Sequence, residues 1–266
     1  MRPLDFFATH PVFTHEQFVA AHTATGRSVH TSNSLLRKHV AAGRLLRIRR
    51  GVYATVPRGT GPDTARVDPY LVATALADDA TVAYHAALQF HGKAHSVSHR
   101  FHYLTRLRAR RLSFRGSEFV PVRAAPALRA LLDLGGGILE QHHAGGTVRV
   151  TTLERALVDV FDQPAKSGGW EEMWRSLELV EFFDLDAVID YARKLGSAVT
   201  AARVGFFLEQ HRESLMVEEI HLEKLGAMGP EQPRYFDPKR RPGKLVSRWN
   251  LVVPEPLLSR SFEEVR

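Results

Sequence analysis

The stretch Arg44-Leu45-Leu46-Arg47-Ile48-Arg49-Arg50-Gly51-Val52-Tyr53-Ala54-Thr55-Val56 constrains the fold most. Leu46 and Ile48 alternate with Arg47 and Arg49, a period of two that suits a strand with one apolar and one charged face. Gly51 permits a tight turn, and Val52 to Val56 reads as the returning strand. Two helical segments precede this hairpin. In Phe13-Thr14-His15-Glu16-Gln17-Phe18, Thr14 suits an N-cap with Gln17 as its capping-box partner, and Phe13 and Phe18 are the halves of a hydrophobic staple. A helix over about 15–24 is predicted there, ended by Thr25-Gly26-Arg27. A second helix, from Thr31 or Ser32 to Ala42, stops at Gly43. On it Leu35, Leu36, His39 and Val40 share one side, and Asn33, Ser34, Arg37, Lys38 and Ala41 share the other. Helix, turn, helix and basic hairpin outline a winged helix-turn-helix over residues 1–60. Pro57-Arg58-Gly59-Thr60-Gly61-Pro62 reads as a linker.

Charge supports a polyanionic partner. The 266 residues carry a net +7, unevenly spread. Residues 1–67 hold ten Lys and Arg against three acids, a net +7. Residues 93–129 hold nine against Glu118 alone, a net +8, which leaves the remainder at −8. Scattered cations are commonly a solvated surface, or a face that docks another protein. Here the first block falls on the second helix and the hairpin, which together fit a DNA groove. Ser32, Asn33 and Arg37 are expected at base edges, and Ser34 and Lys38 at bases or phosphates. Arg44, Arg47, Arg49 and Arg50 are expected to grip the backbone or enter the minor groove.

Beyond the linker, Pro69 to about Phe90 is expected to be helical, residues 100–123 β-rich, and Thr147 to Val150 a strand. Thr151 and Glu154 suggest a second capping box. Leu153, Ala156, Leu157, Val160 and Phe161 then line one face of a helix that Pro164 ends. Further helices are expected near 170–182, 186–195, 198–212 and 216–225, with a strand from Leu245 to Val253. The fold class is α+β: the winged helix-turn-helix of residues 1–60, then a larger mixed α/β domain of residues 68–266.

Enzymatic signatures are weak. The chain has no cysteine, so thiolate chemistry and disulfides are excluded. His91, His95 and His99 recur every fourth residue, but Gly92 disfavours a continuous helix that would align them on a metal. Asp184 and Asp186 resemble a Mg²⁺-binding pair, yet they stand where a helix N-cap is expected. The run Gly135-Gly136-Gly137 lacks the Lys and Ser/Thr of a phosphate loop. No catalytic residue, metal or cofactor is assigned, and the protein is expected not to be an enzyme. With no apolar run of about 20 residues and no signal-peptide pattern in Met1-Arg2-Pro3-Leu4-Asp5, no membrane association and a cytoplasmic location are expected.

Four stretches together resemble one family. They are Gly43 to Tyr53; Ala86-Ala87-Leu88 with His91-Gly92; Thr152 with Glu154-Arg155-Ala156-Leu157-Val158-Asp159; and Arg248-Trp249-Asn250-Leu251-Val252-Val253-Pro254. In this order they are similar to the AbiEi-type antitoxins of type IV toxin–antitoxin systems. That resemblance implies repression of the protein's own operon through inverted repeats in double-stranded promoter DNA. It also implies that the larger domain counteracts a nucleotidyltransferase toxin, with or without a stable complex. Arg155 and Asp159 are expected to form a buried ion pair rather than a toxin contact. The alternatives are a ligand-responsive winged-helix regulator and, from another class, a metal-dependent nucleic-acid-processing enzyme.

Overall fold

A computed structural model describes residues 2–26, 28–124, 128–129 and 136–258. The expected helix end at Arg27 and the first glycine of the 135–137 run lie outside these residues. By contact the chain forms two compact units, each drawn from three stretches. The first unit is Met1–Val82, His99–Arg123 and Leu139–Val150. The second is Ala83–Ser98, Ala124–Ile138 and Thr151–Arg266. The boundary expected between residues 60 and 68 passes inside the first unit, which takes in a sheet as well as the N-terminal helices.

The first unit begins with α1 (Pro3–Thr9), β1 (Val12–Thr14), α2 (His15–Thr23), α3 (Val29–Ala41), β2 (Leu45–Arg49) and β3 (Val52–Thr55). The expected helix, helix and hairpin are all present. The capping box forms as expected: the Thr14 hydroxyl accepts the Gln17 amide at 3.2 Å, and the Thr14 amide donates to the Gln17 side chain at 2.7 Å. Phe13 and Phe18 are fully buried, 6.0 Å apart.

Within residues 1–60, two elements escaped the sequence reading. α1 is started by Pro3 in its first turn, where the missing N–H costs nothing, and by the Arg2–Asp5 pair. Its Phe6 and Phe7 complete a cluster with Phe13, Phe18, Leu36 and Leu45. β1 pairs antiparallel with β3, so the hairpin is one part of a three-stranded sheet in the order β1-β3-β2. Removing one ring from such a cluster costs about 3–5 kcal/mol.

The expected single helix over 69–90 is instead broken. α4 (Pro69–Ala75) is capped by Asp68, a turn follows, and β4 (Thr81–Val82) enters a six-stranded sheet. The break has a clear cause. Val82 is wholly buried between two strands, and helical backbone cannot pair sideways. The other strands are β5 (Arg100–Thr105), β6 (Leu112–Phe114), β7 (Ser117–Arg123), β8 (Ile138–His143) and β9 (Gly146–Thr151), in the order β6-β7-β5-β4-β9-β8. β5 runs parallel to β7, and β4 runs antiparallel to β5 and parallel to β9.

The second unit is mainly helical. It contains α5 (His85–Phe90), α6 (Leu153–Asp162), α7 (Trp170–Glu178), α8 (Leu185–Leu195), α9 (Ala198–Gln210) and α10 (Glu219–Gly226). The expected buried pair is present: Arg155 Nε lies 3.4 Å from Asp159 Oδ2, and the Tyr191 hydroxyl donates to Asp159 at 2.7 Å. The expected strand from Leu245 to Val253 is divided into β11 (Lys244–Val246) and β12 (Leu251–Val253) by a short 3-10 helix, with β10 (Arg234–Tyr235) on the far side of β12. Asn250 turns the chain at φ +48°, and Trp249 is buried against Gly205 of α9. A Cβ at Gly205 would lie 2.1 Å from the indole, so only glycine lets the ring lie there.

Glu172 is a further anchor of the second unit. Burial, the largest influence, pushes its carboxyl up. Hydrogen bonds from Ser96, His85 and Ser176 together carry it down to about 2. Because this folded value lies below the ordinary 4.5, the stabilisation is present at neutral pH and is lost as pH falls from about 4.5 toward about 2. Glu172→Gln is expected to lower stability by roughly 2 kcal/mol at pH 7. Melting curves at pH 7 and pH 3 should show the gap from wild type shrinking at the lower pH; a gap independent of pH would contradict this.

Candidate nucleic-acid interface

The inward side of α3 is fixed by the aromatic cluster, and this sets what faces out. Leu36 and His39 are buried, and the His39 ring meets Phe7 edge-on at 4.9 Å. Burial first, then the charges of Arg44 and Lys38, hold His39 below its ordinary range, so it packs as a neutral ring. At 100° per residue the opposite side carries His30, Ser34, Arg37 and Ala41, with Thr31 and Lys38 beside them. All six are exposed.

The helix begins earlier than expected. Ser28 is its N-cap and accepts the Thr31 amide at 3.2 Å, so Val29, His30 and Thr31 form the first turn. Those residues are exposed at the helix start, the part of a recognition helix that usually reads bases, and lie outside the expected set. The signal was available: Ser28 followed by thirteen residues without Gly or Pro is itself a helix start.

Ser32 is a correction. It is fully buried, and its hydroxyl donates to the Ser28 carbonyl at 3.2 Å and lies 3.5 Å from His22 Nδ1. Its position four before Leu36 and seven before His39 puts it in the middle of the core face. It cannot reach a base edge without unfolding the helix. Asn33 is half-buried, with its Oδ1 2.5 Å from His15 Nε2. The His15 amide donates to the Gly51 carbonyl at 2.8 Å. His15 thus ties the start of α3 to the tip of the hairpin, where Gly51 adopts φ +83°. Ser34, Arg37 and Lys38 are exposed as expected, and Arg37 Nε also donates to the Asn33 carbonyl at 3.4 Å.

The hairpin splits the expected arginine set. Arg44, Arg47 and Arg50 are exposed, and among the described residues none of them forms an ion pair. Arg49 differs, because its guanidinium donates to the carbonyl of Leu76 at the end of α4 and its Nε is buried. The register shifts between Arg47 and Arg49, which lets Ile48 turn into the core while Arg49 reaches the neighbouring turn. A guanidinium committed to a buried carbonyl does not grip a phosphate, so Arg49 leaves the expected interface. Simple alternation could not show this, since the carbonyl comes from residue 76.

The other candidate chemistries find structural partners. Asp184 caps α8 by accepting the Ala187 amide at 3.0 Å, and Asp186 pairs with Lys224 at 3.0 Å. The His91 ring is 2.8 Å from the Thr151 carbonyl. Among the described residues no group of three or more His, Asp or Glu side chains is arranged to hold a metal. No described helix is long and apolar enough to cross a membrane.

Arg49→Ala is expected to lower stability by about 1–3 kcal/mol, because it strands a buried carbonyl. Arg50→Ala should change stability by less than about 0.5 kcal/mol. Urea denaturation of the two variants compares them directly; equal losses would place Arg49 back on the surface.

Comparison with known proteins places this geometry. Residues 1–56, which end within the returning strand's flank, match the family model for the AbiEi antitoxin transcriptional regulators. The expected resemblance is therefore found over the N-terminal part of the chain. No curated protein sequence matches the chain. A solved structure, the crystal structure of the RV2827C protein from Mycobacterium tuberculosis, superposes with a TM-score of 0.59 at 20% sequence identity. The match covers 94% of this chain and 89% of that one, so the fold is shared along almost the whole length.

Proposed function

We propose, on the premise that residues 1–56 are of the AbiEi antitoxin transcriptional-regulator type, that the protein is a regulatory antitoxin which binds promoter DNA through a winged helix-turn-helix. α3 enters the major groove, and the β2–β3 hairpin is the wing. One observation carries this: Arg37, Lys38, Arg44, Arg47 and Arg50 are exposed and, among the described residues, form no ion pair along one helix and the hairpin that follows it. Phosphates neutralise such a row, and the released counterions drive binding.

His30, Thr31, Ser34 and Arg37 then read base edges, with Asn33 held ready by His15. Lys38, Arg44, Arg47 and Arg50 hold the backbone. Operators with inverted repeats would engage two copies, and repression would follow from occupancy of the promoter. The action is regulatory rather than catalytic. Counteraction of a nucleotidyltransferase toxin belongs to the same proposal, assigned to the remainder of the chain.

A second function, a regulator that responds to a small ligand, is favoured by a groove of about 790 Å³ lined by Leu4, Phe7, Pro11, Val56 and Pro62, with Arg44 at its edge. Co-expression separates the two. An antitoxin restores growth to cells carrying a nucleotidyltransferase toxin encoded beside it, whereas a ligand-responsive regulator does not.

DNA binding is tested with the full chain on its own promoter by fluorescence anisotropy across a salt series. Arg47→Ala/Arg50→Ala is expected to weaken binding to every sequence and to reduce the salt slope by about one per lost contact. Arg37→Ala is expected to narrow the difference between operator and random duplex by about 1–3 kcal/mol. Unchanged slope and unchanged discrimination together would remove α3 and the hairpin from the interface.

A further inference from the structure

In the second basic block, residues 93–129, four of the nine cations are held in ion pairs among the described residues: Lys93 with Glu181, and Arg100, Arg106 and Arg111. Arg100 pairs with Glu118 at 2.7 Å, and Arg111 lies 3.7 Å from the same carboxylate. Arg106 pairs with Asp79 at 3.2 Å. Arg115 donates to the backbone carbonyls of Pro62 and Asp63. Arg108 and Arg110, in the loop between β5 and β6, are exposed and have no hydrogen-bond or ion-pair partner among the described residues. Asp79 is already saturated: it accepts the Thr105 hydroxyl at 2.5 Å, the Arg106 amide at 2.7 Å and Arg106 Nε.

The position of this loop is what matters. Its base docks on the turn after α4, through Asp79. The wing docks on the same turn, through Arg49 and the Leu76 carbonyl. Tyr103, two residues before Thr105 on β5, lies close enough to feel both Arg49 and Asp79, although burial is the main influence raising its hydroxyl. One short turn, residues 76–79, therefore anchors both the wing and the root of the arginine loop. Arg106 and Thr105 are used as anchors. The Leu107 amide is bonded to the Thr105 hydroxyl at 3.0 Å, so the loop is pinned at its root and presents Arg108 and Arg110 outward.

We infer that this loop is a second phosphate-binding element, continuous with the wing, through which Arg108 and Arg110 contact the duplex backbone beyond the segment engaged by α3. The inference rests on the DNA-binding function proposed above. Duplex DNA is the occupant that the chemistry selects: two guanidinium groups without an ion pair among the described residues stand on a loop anchored to the same turn as the wing, so they can extend its positive charge, and the contacts are with charge, not with bases. Placed there, the sheet takes part in binding, and the footprint on DNA is longer than a winged helix alone would protect.

The test uses the full chain and a promoter duplex. Arg108→Ala/Arg110→Ala is expected to reduce the salt slope by about two, since each phosphate contact contributes roughly 0.9 to it. The ratio of operator to random binding should be unchanged, and the nuclease footprint should shorten at one side. The conservative pair Arg108→Lys/Arg110→Lys is expected to restore the slope, because phosphates respond to charge. Melting temperatures of all variants should match wild type, which separates lost contacts from lost fold. A wild-type slope and footprint in the alanine pair, while Arg47→Ala/Arg50→Ala still lowers the slope, would overturn this inference and leave the proposed function standing. Absence of duplex binding by the wild-type chain at low salt would overturn both.

Discussion

The phenylalanine cluster beneath α3 is the constraint on which the candidate interface depends. Phe6, Phe7, Phe13 and Phe18 come from three elements and meet in stacked and edge-on pairs between 5.1 and 6.2 Å. They accept Leu36 of α3 and leave no room for a charged side chain on that side. Once α3 is seated by its apolar positions, the 3.6-residue period decides the rest. Ser34, Arg37 and Lys38 must face solvent, and Ser32 must not. An electrostatic surface is thus an outcome of packing.

The turn after α4 has a comparable role for the strands. It receives Arg49 on one carbonyl and gathers Thr105 and Arg106 on one carboxylate. Both are charged hydrogen bonds in partly buried settings, where they are stronger than on an open surface. Their consequence is that basic residues with similar sequence surroundings have different duties. Arg49 and Arg106 hold the fold, and Arg47, Arg50, Arg108 and Arg110 form no ion pair among the described residues. A count of positive charge in this protein overstates the binding surface by including its anchors.

The motifs in the second unit that resemble the AbiEi-type antitoxins lie at packing positions. Arg155 and Asp159 form a buried pair completed by Tyr191 and by the Gly136 carbonyl. Trp249 is seated on Gly205 and donates to Glu209 at 2.7 Å. His91 is bonded to a strand carbonyl. Removing one partner from such an arrangement leaves an uncompensated buried group, which is costly. These residues report how the unit folds, and they say little about what its surface meets.

What could be determined from the amino-acid order alone was everything local. The capping box at Thr14, the staple of Phe13 and Phe18, the alternation through Arg47 and the glycine turn at residue 51 are each written within a few residues. The capping box, the staple and the turn formed where expected, because short-range geometry decides them, whereas the alternation is interrupted: Leu45 rather than Leu46 is fully buried, and the register shifts between Arg47 and Arg49. The inward side of α3 was also legible, although the start of the helix at Ser28 was read one turn late and Ser32 was misplaced with it. Tertiary structure alone decided the matters of long-range pairing. It broke the segment after Pro69 so that Val82 could fill the middle of a sheet. It turned Arg49 toward a carbonyl 27 residues away, and it anchored the root of the Arg108 loop on the same turn through Asp79. Periodicity carries no information about which distant backbone group will need a partner, and a buried carbonyl must have one.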